Sequence, residues 1–176
     1  NDGLVIGSNS LAEGRSAYSL LSGGVLIEEG TTNLVNTEPT EWTKDNGATV
    51  ILTEESYEGH PVYKVTLPTG SLPRIWKSFT STGQVFSGYL YARIAPESVN
   101  SATGFYFRQT GFGTTYSSKV CSLTSEWQKF SLNNVTCAAD FMFMLYQANG
   151  TTPDTIFYMT MPQLEAKTFS TSFVDG

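Results

Sequence analysis

Side chains that can hold a polar ligand alternate with apolar side chains along residues 84–94. Because successive side chains of a β-strand point to opposite faces, Tyr89, Tyr91 and Arg93 share one face. The opposite face carries Phe86, Gly88, Leu90, Ala92 and Ile94. Phenol rings and a guanidinium can stack on a flat ligand and donate hydrogen bonds to its oxygens. The pattern therefore predicts a core strand whose outer face is available for binding.

Three other predicted strands alternate in the same way, and their outward positions are again mainly aromatic or basic. Flat rings flanked by hydrogen-bonding side chains suit the apolar face and the hydroxyl groups of a pyranose. We therefore predict one sugar-binding face that contains Arg74, Trp76, Tyr89, Tyr91, Arg93, Tyr106, Arg108 and Tyr146. The alternative is that Trp76 and some of the tyrosines cover a second layer or close an end of the fold. Trp42 and Trp127 are interpreted as structural.

Arginines among these aromatic residues favour an acidic or highly hydroxylated glycan, because a guanidinium can fork onto a carboxylate or a vicinal diol. The net charge of −6 argues the other way. The same charge disfavours nucleic acid and anionic membranes as partners, since both require a clustered basic surface. No stretch approaches the 18 apolar residues of a membrane-spanning helix.

Catalytic constellations are not apparent in the sequence. Glycoside hydrolysis uses two facing carboxylates, whereas the acidic residues here fall mostly at turns and strand ends, where they are expected to be solvated. His60 is the one histidine, and no Gly-x-Ser-x-Gly motif occurs. An enzyme is therefore not expected. Cys121 and Cys137 lack metal-ligand spacing and are interpreted as buried free thiols, which leaves the redox compartment open.

Turn residues punctuate the chain every eight to twelve residues, the spacing of a β-sandwich. Aromatic residues make up 13% of the chain and charged residues 15%, which also favours β-structure. We predict an all-β fold, a two-sheet antiparallel β-sandwich of the jelly-roll type, over residues 24–176. Residues 1–23 are predicted to be a short irregular lead-in, in which residues 11–21 form a marginal helix or an irregular arm. The predicted strands are 24–29, 48–53, 61–67, 72–79, 84–94, 103–109, 114–121, 127–133, 141–147 and 155–164.

Five segments in order resemble the carbohydrate-binding-module-like jelly rolls of bacteriophage tail and bacterial surface proteins. They are residues 24–34, 42–44 (Trp-Thr-Lys), 86–93, 126–130 (Glu-Trp-Gln-Lys-Phe) and 163–173, which begins Gln-Leu-Glu-Ala. The resemblance implies a non-catalytic β-sandwich that often binds sugar on its concave sheet. It also implies a possible structural calcium, for which Glu28, Glu29 and Glu165 are the candidate ligands.

The leading hypothesis is a carbohydrate-binding module that attaches a longer phage tail or bacterial surface protein to a polysaccharide. It implies flanking domains in the same chain, an extracellular or virion location, and possible homo-oligomers through the parent protein. One alternative is a structural or oligomerisation domain that binds only protein. A second alternative is a polysaccharide-degrading domain.

Overall fold

The computed structural model describes residues 16–21, 24–28, 32–70, 72–98, 104–111, 113–147, 153–171 and 173. The chain divides into two compact units, residues 1–32 and 33–176. In the first unit, β1 (Ser16–Leu21) and β2 (Gly24–Glu28) pair as antiparallel strands. The expectation of a helix or irregular arm is therefore wrong over residues 16–21, because pairing with β2 supplies hydrogen bonds that a short isolated helix does not retain. The predicted division after residue 23 stays a prediction.

Among the described residues of the second unit, ten strands form two five-stranded antiparallel sheets. Sheet I has the order β10-β7-β12-β5-β4, and sheet II has the order β3-β6-β11-β8-β9. No α-helix occurs among the described residues, which confirms the predicted all-β sandwich. The strands are β3 (Thr43–Asp45), β4 (Thr49–Tyr57), β5 (His60–Leu67), β6 (Arg74–Phe79), β7 (Gln84–Ile94), β8 (Gly104–Gly111), β9 (Thr114–Ser122), β10 (Gln128–Cys137), β11 (Phe141–Tyr146) and β12 (Thr155–Glu165).

Large apolar side chains from both sheets fill the space between them. Phe105 of sheet II stacks on Phe157 of sheet I, with ring centroids 4.4 Å apart. Gly88 of β7 leaves room for the ring of Phe143 from sheet II, because a Cβ there would lie 2.7 Å from a ring carbon of Phe143. Leu90, on the same face of β7, is completely buried. The prediction that this face of β7 points into the core is therefore confirmed.

The hairpin that joins β4 to β5 turns through Glu58 and Gly59, both of which have positive φ. Two such residues between paired strands are typical of the tight turns whose twist matches that of a hairpin. β4 continues to Tyr57, four residues beyond the predicted end, and a register irregularity separates Leu52 from Ser56. Beyond this irregularity the two strands pair again, with Ser56 opposite Pro61 and Tyr57 opposite His60.

Both cysteines are buried free thiols, as interpreted from the sequence. Burial raises the pKa of the Cys121 thiol to about 12 and that of the Cys137 thiol to about 11. Because the thiolate is the reactive form, we expect a thiol-specific reagent to label neither cysteine in the native protein and both after denaturation. Prompt labelling of the native protein in a timed mass-spectrometric assay would contradict the burial of these residues.

Candidate functional site

The eight predicted ligand-binding residues divide between the outer faces of two opposite sheets. Tyr89, Tyr91 and Arg93 belong to β7 of sheet I. The other five belong to sheet II and are Arg74, Trp76, Tyr106, Arg108 and Tyr146. The expectation of one shared face is therefore wrong. Each strand's alternation was interpreted correctly, but alternation does not determine which sheet a strand joins.

The five residues on sheet II form adjoining rows across three neighbouring strands. Trp76 of β6, Met144 of β11 and Arg108 of β8 are paired in one row. The next row contains Arg74, Tyr146 and Tyr106. Side chains on the same face of paired strands lie within contact distance. The register thus brings together residues that are up to 72 positions apart in the sequence.

A groove of about 390 Å³ lies over these rows. Its described lining consists of Leu72, Arg74, Trp76, Ser78, Arg108, Thr110, Gly111, Gly113, Met142, Met144 and Tyr146. The two methionines belong to β11, which pairs with β6 on one side and β8 on the other, and their side chains form an apolar floor. Trp76 and the two arginines beside this floor are half-buried. A concave surface with an apolar floor and a few polar groups is the usual form of a small-molecule site. We call this surface the sheet II groove.

Arg74 is held at one side of the groove by Asp45 of β3. Its Nε and Nη2 atoms donate hydrogen bonds of 3.1 and 2.7 Å to Asp45 Oδ2. The hydrogen bond from Arg74 is the main reason that the pKa of Asp45 lies below its usual value. The guanidinium carbon lies 4.9 Å from the centroid of Trp76. Arg74 therefore supports the Trp76 ring while its charge is balanced by a neighbour.

Arg108 is held at the other side by aromatic rings. Its guanidinium carbon lies 4.3 Å from the centroid of Tyr146 and 5.7 Å from that of Tyr106. These two tyrosine rings stack with centroids 4.9 Å apart. Arg108 Nε donates a 3.0 Å hydrogen bond to Ser118 Oγ of β9. Burial is the main cause of the raised pKa of Tyr146, so its phenol stays protonated at neutral pH.

The residues of sheet I make a different arrangement, in which the β4–β5 hairpin reaches across the sheet. Tyr57 lies 4.7 Å from Trp127 and 5.9 Å from Tyr91, measured between ring centroids. Arg93 lies over Trp127 and forms a 2.7 Å ion pair with Glu55. We call these five residues the hairpin anchor. They contact one another; the interpretation of Trp127 as structural stays a prediction.

Tyr89 is unavailable to a ligand, because neighbours on its own sheet bury it. Its phenol donates a 3.3 Å hydrogen bond to Gln163 Oε1, and Lys129 Nζ lies 3.7 Å from its ring centroid. Its side chain is only 1% exposed, and burial is the main cause of its raised pKa. Ser87 Oγ donates a hydrogen bond to the Lys167 carbonyl, and Thr171 N donates one to Glu165. These contacts hold the segment after β12 at the end of sheet I where Ser87 lies. The expected role of Tyr89 in binding is wrong because its side chain is buried.

Of the three predicted calcium ligands, Glu165 alone has a described side chain. Its carboxylate is buried and accepts hydrogen bonds from Gln163 Nε2 (2.7 Å) and from the backbone and hydroxyl of Thr171. A cation at Glu165 would replace these donors. Glu29 and the side chain of Glu28 lie outside the described residues. In the part of the chain that the structure describes, no three acidic, histidine or cysteine residues cluster as metal ligands. Calcium binding stays a prediction.

Sequence reasoning missed Asp45, which lies outside the groove lining and holds Arg74 in place. Its strand, β3, has three residues and is not among the predicted strands, because so short a strand shows no alternation. The alternation of β11 directs Met142 and Met144 outward, but the position of Met144 between Trp76 and Arg108 depends on strand pairing. None of the described residues belongs to a helix long and apolar enough to cross a membrane.

The fold is that of carbohydrate-binding modules. A family 61 carbohydrate-binding module solved with β-1,4-galactotriose is 10% identical, with a TM-score of 0.55 over 77% of this chain and 94% of that chain. The C-terminal family 22 module of Clostridium thermocellum Xyn10B is 16% identical, with a TM-score of 0.55 over 80% and 94%. The xylan-binding domain of Paenibacillus barcinonensis Xyn10C is 16% identical, with a TM-score of 0.52 over 77% and 92%.

These identities establish likeness of fold alone. No family model matches the sequence, and no curated protein matches it either.

Proposed function

We propose that the domain binds carbohydrate in the sheet II groove. The observation that carries the proposal is the row of Trp76, Met144 and Arg108 across three paired strands. This row combines a flat ring, an apolar floor and a fork of hydrogen-bond donors, which together suit the two kinds of surface that a pyranose presents. The fold shared with a galactotriose-binding module and xylan-binding modules supports the proposal.

The proposed role is binding without catalysis. Glycoside hydrolysis uses a general acid and a second carboxylate on opposite sides of the scissile bond. The described lining of the sheet II groove contains neither Asp nor Glu, and it contains no histidine. Among these residues, the arginines bind and orient oxygens, and the aromatic rings provide stacking area. None of these functions requires a proton to be transferred.

In the parent protein, the domain would attach a larger chain to a polysaccharide outside the cell. The parent is proposed to be a phage tail or bacterial surface protein, which places the domain extracellularly or on the virion. Support comes from the motif order at residues 24–34, 126–130 and 163–173, which resembles that of such proteins. Flanking domains and homo-oligomers through the parent chain belong to the same proposal.

Affinity gel electrophoresis tests the proposal. The isolated chain is run through gels that contain bacterial capsular polysaccharides, cell-wall polysaccharides, xylan or galactan, with bovine serum albumin as the non-binding reference. We expect at least one polysaccharide to retard the domain, and free oligosaccharide to restore its mobility. Unchanged mobility in every gel, together with no binding on a glycan array, would contradict a carbohydrate-binding role.

A further inference from the structure

The charges of the sheet II groove point to the class of carbohydrate that it binds. We propose that the groove selects acidic polysaccharides, with a uronic acid carboxylate placed against Arg108; this inference rests on the proposed function. The chain carries 16 acidic and 10 basic residues, yet the described lining has two arginines and no acidic residue. The protein as a whole is acidic, but the charge of its groove is positive. Because a bound ligand interacts mainly with the charges nearest to it, the groove favours an anionic ligand.

The two arginines differ in how much of their charge is already balanced. Arg74 forms a two-nitrogen contact with Asp45. Arg108 uses Nε for the neutral hydroxyl of Ser118. The described residues offer Arg108 neither a carboxylate nor an acceptor within hydrogen-bond distance of its two terminal nitrogens. Its charge and its terminal donors are therefore open to a ligand, which identifies Arg108 as the anion-binding residue.

Arg108 is also oriented before any ligand binds. Its guanidinium lies 4.3 Å from the centroid of Tyr146, and the hydrogen bond to Ser118 Oγ fixes the Nε edge. Such contacts limit rotation of the side chain, so less entropy is lost when a carboxylate accepts a two-nitrogen fork. A neutral sugar would also accept hydrogen bonds here, but it would gain less because charge-assisted bonds are stronger.

The spacing from Arg108 to Trp76 suits one ligand that contacts both. The two residues flank Met144 in a single row, which places their strands two spacings apart, or about 10 Å. Both side chains stand on the same face of sheet II, beside an apolar floor. A sugar stacked on Trp76 would therefore bring its own or its neighbour's carboxylate toward Arg108.

Paired polymers separate acidity from every other property of the ligand. Binding to polygalacturonate and alginate is measured by isothermal titration, each beside its carboxyl-reduced form, which keeps the backbone but lacks the charge. We expect the acidic forms to bind roughly tenfold or more tightly than the reduced forms. Raising NaCl from about 0.05 M to about 0.5 M should weaken the acidic complexes, because the Debye length shortens.

Variants assign the preference to Arg108. Arg108→Gln should lower the affinity for the acidic polymer by roughly ten- to a hundredfold, to that of the reduced form. Arg108→Lys keeps the positive charge but loses the two-nitrogen contact of the guanidinium. Its affinity for the acidic polymer should therefore fall, while the dependence of binding on salt should remain. This variant replaces Arg108→Gln in the test if the Gln variant does not fold. Lys119→Gln is the control, because it removes a positive charge from an exposed position outside the described lining. It should leave the affinity for both the acidic and the reduced polymer unchanged.

The outcomes distinguish this inference from the proposed function. Equal binding of acidic and reduced polymers would overturn the acidic preference and leave carbohydrate binding intact. A preference that survives Arg108→Gln would overturn the role of Arg108. Absence of binding to every polysaccharide, including those in the affinity gels, would contradict the proposed function itself.

Discussion

Leu90→Asp is expected to destabilise the domain by several kcal/mol or to prevent it from folding. Leu90 lies in the middle of β7, between β10 and β12, and its side chain is fully buried in the apolar cluster between the sheets. A carboxylate at this position would lose its hydration without gaining a charged partner. Burial of an unpaired charge is among the few changes that regularly produce effects of this size.

Urea denaturation followed by circular dichroism measures the effect of Leu90→Asp. Thr136→Asp is the matched control, because it places the same charge on the neighbouring strand β10 at an exposed position. The control should stay within about 0.5 kcal/mol of the wild type. If Leu90→Asp were as stable as the wild type, the two faces of β7 would be reversed.

Trp76→Ala should weaken carbohydrate binding by roughly ten- to a hundredfold and change stability little. The expected loss of about 1–3 kcal/mol reflects removal of a ring on which the sugar stacks. Trp76 is half-buried on the outer face of sheet II, so its removal leaves no closed cavity in the core. Titration of the best polysaccharide and a thermal melt on the same sample measure the two effects.

Two other tryptophans provide matched controls for Trp76→Ala. Trp42 is 3% exposed and lies edge-on to Phe143, so Trp42→Ala should cost about 3–5 kcal/mol of stability. Trp127 belongs to the hairpin anchor on the opposite sheet, and Trp127→Ala should lower stability but leave the affinity of the folded protein unchanged. A sharp fall in melting temperature for Trp76→Ala, with binding retained, would show that Trp76 is structural.

The faces of individual strands could be predicted from the sequence because each strand has one apolar side. In residues 72–79, for example, the apolar side contains Ile75 and Phe79, so Arg74 and Trp76 are predicted to face outward, and the structure agrees. The sheet to which each strand belongs could not be predicted in the same way, since Tyr91 and Trp76 alternate identically yet lie on opposite sheets. Sheet membership depends on pairing between segments far apart in the chain, and local periodicity carries no information on that pairing.

Polar contacts account for the other differences between the predictions from the sequence and the structure. The end of β4 reads Thr-Glu-Glu-Ser-Tyr and lacks an apolar face, so neither its strand nor its contact with β7 was foreseen. Glu55 and Tyr57 are nonetheless held there by an ion pair and ring contacts. Tyr89 matched the pattern of an exposed residue but is buried, with Lys129 over its ring and its phenol hydrogen-bonded to Gln163. Ion pairs, ring contacts and hydrogen bonds leave little trace in hydrophobic periodicity, so neither arrangement could be predicted from it.

A crystal structure with a bound oligosaccharide tests the central claim most directly. The ligand is taken from whichever polysaccharide retards the domain most strongly in affinity gels. We predict density for a sugar ring stacked on Trp76, over Met144 and within hydrogen-bond distance of Arg108. An ordered sugar on the hairpin anchor or on the loops, with the sheet II groove empty, would contradict the assignment of the groove as the binding site.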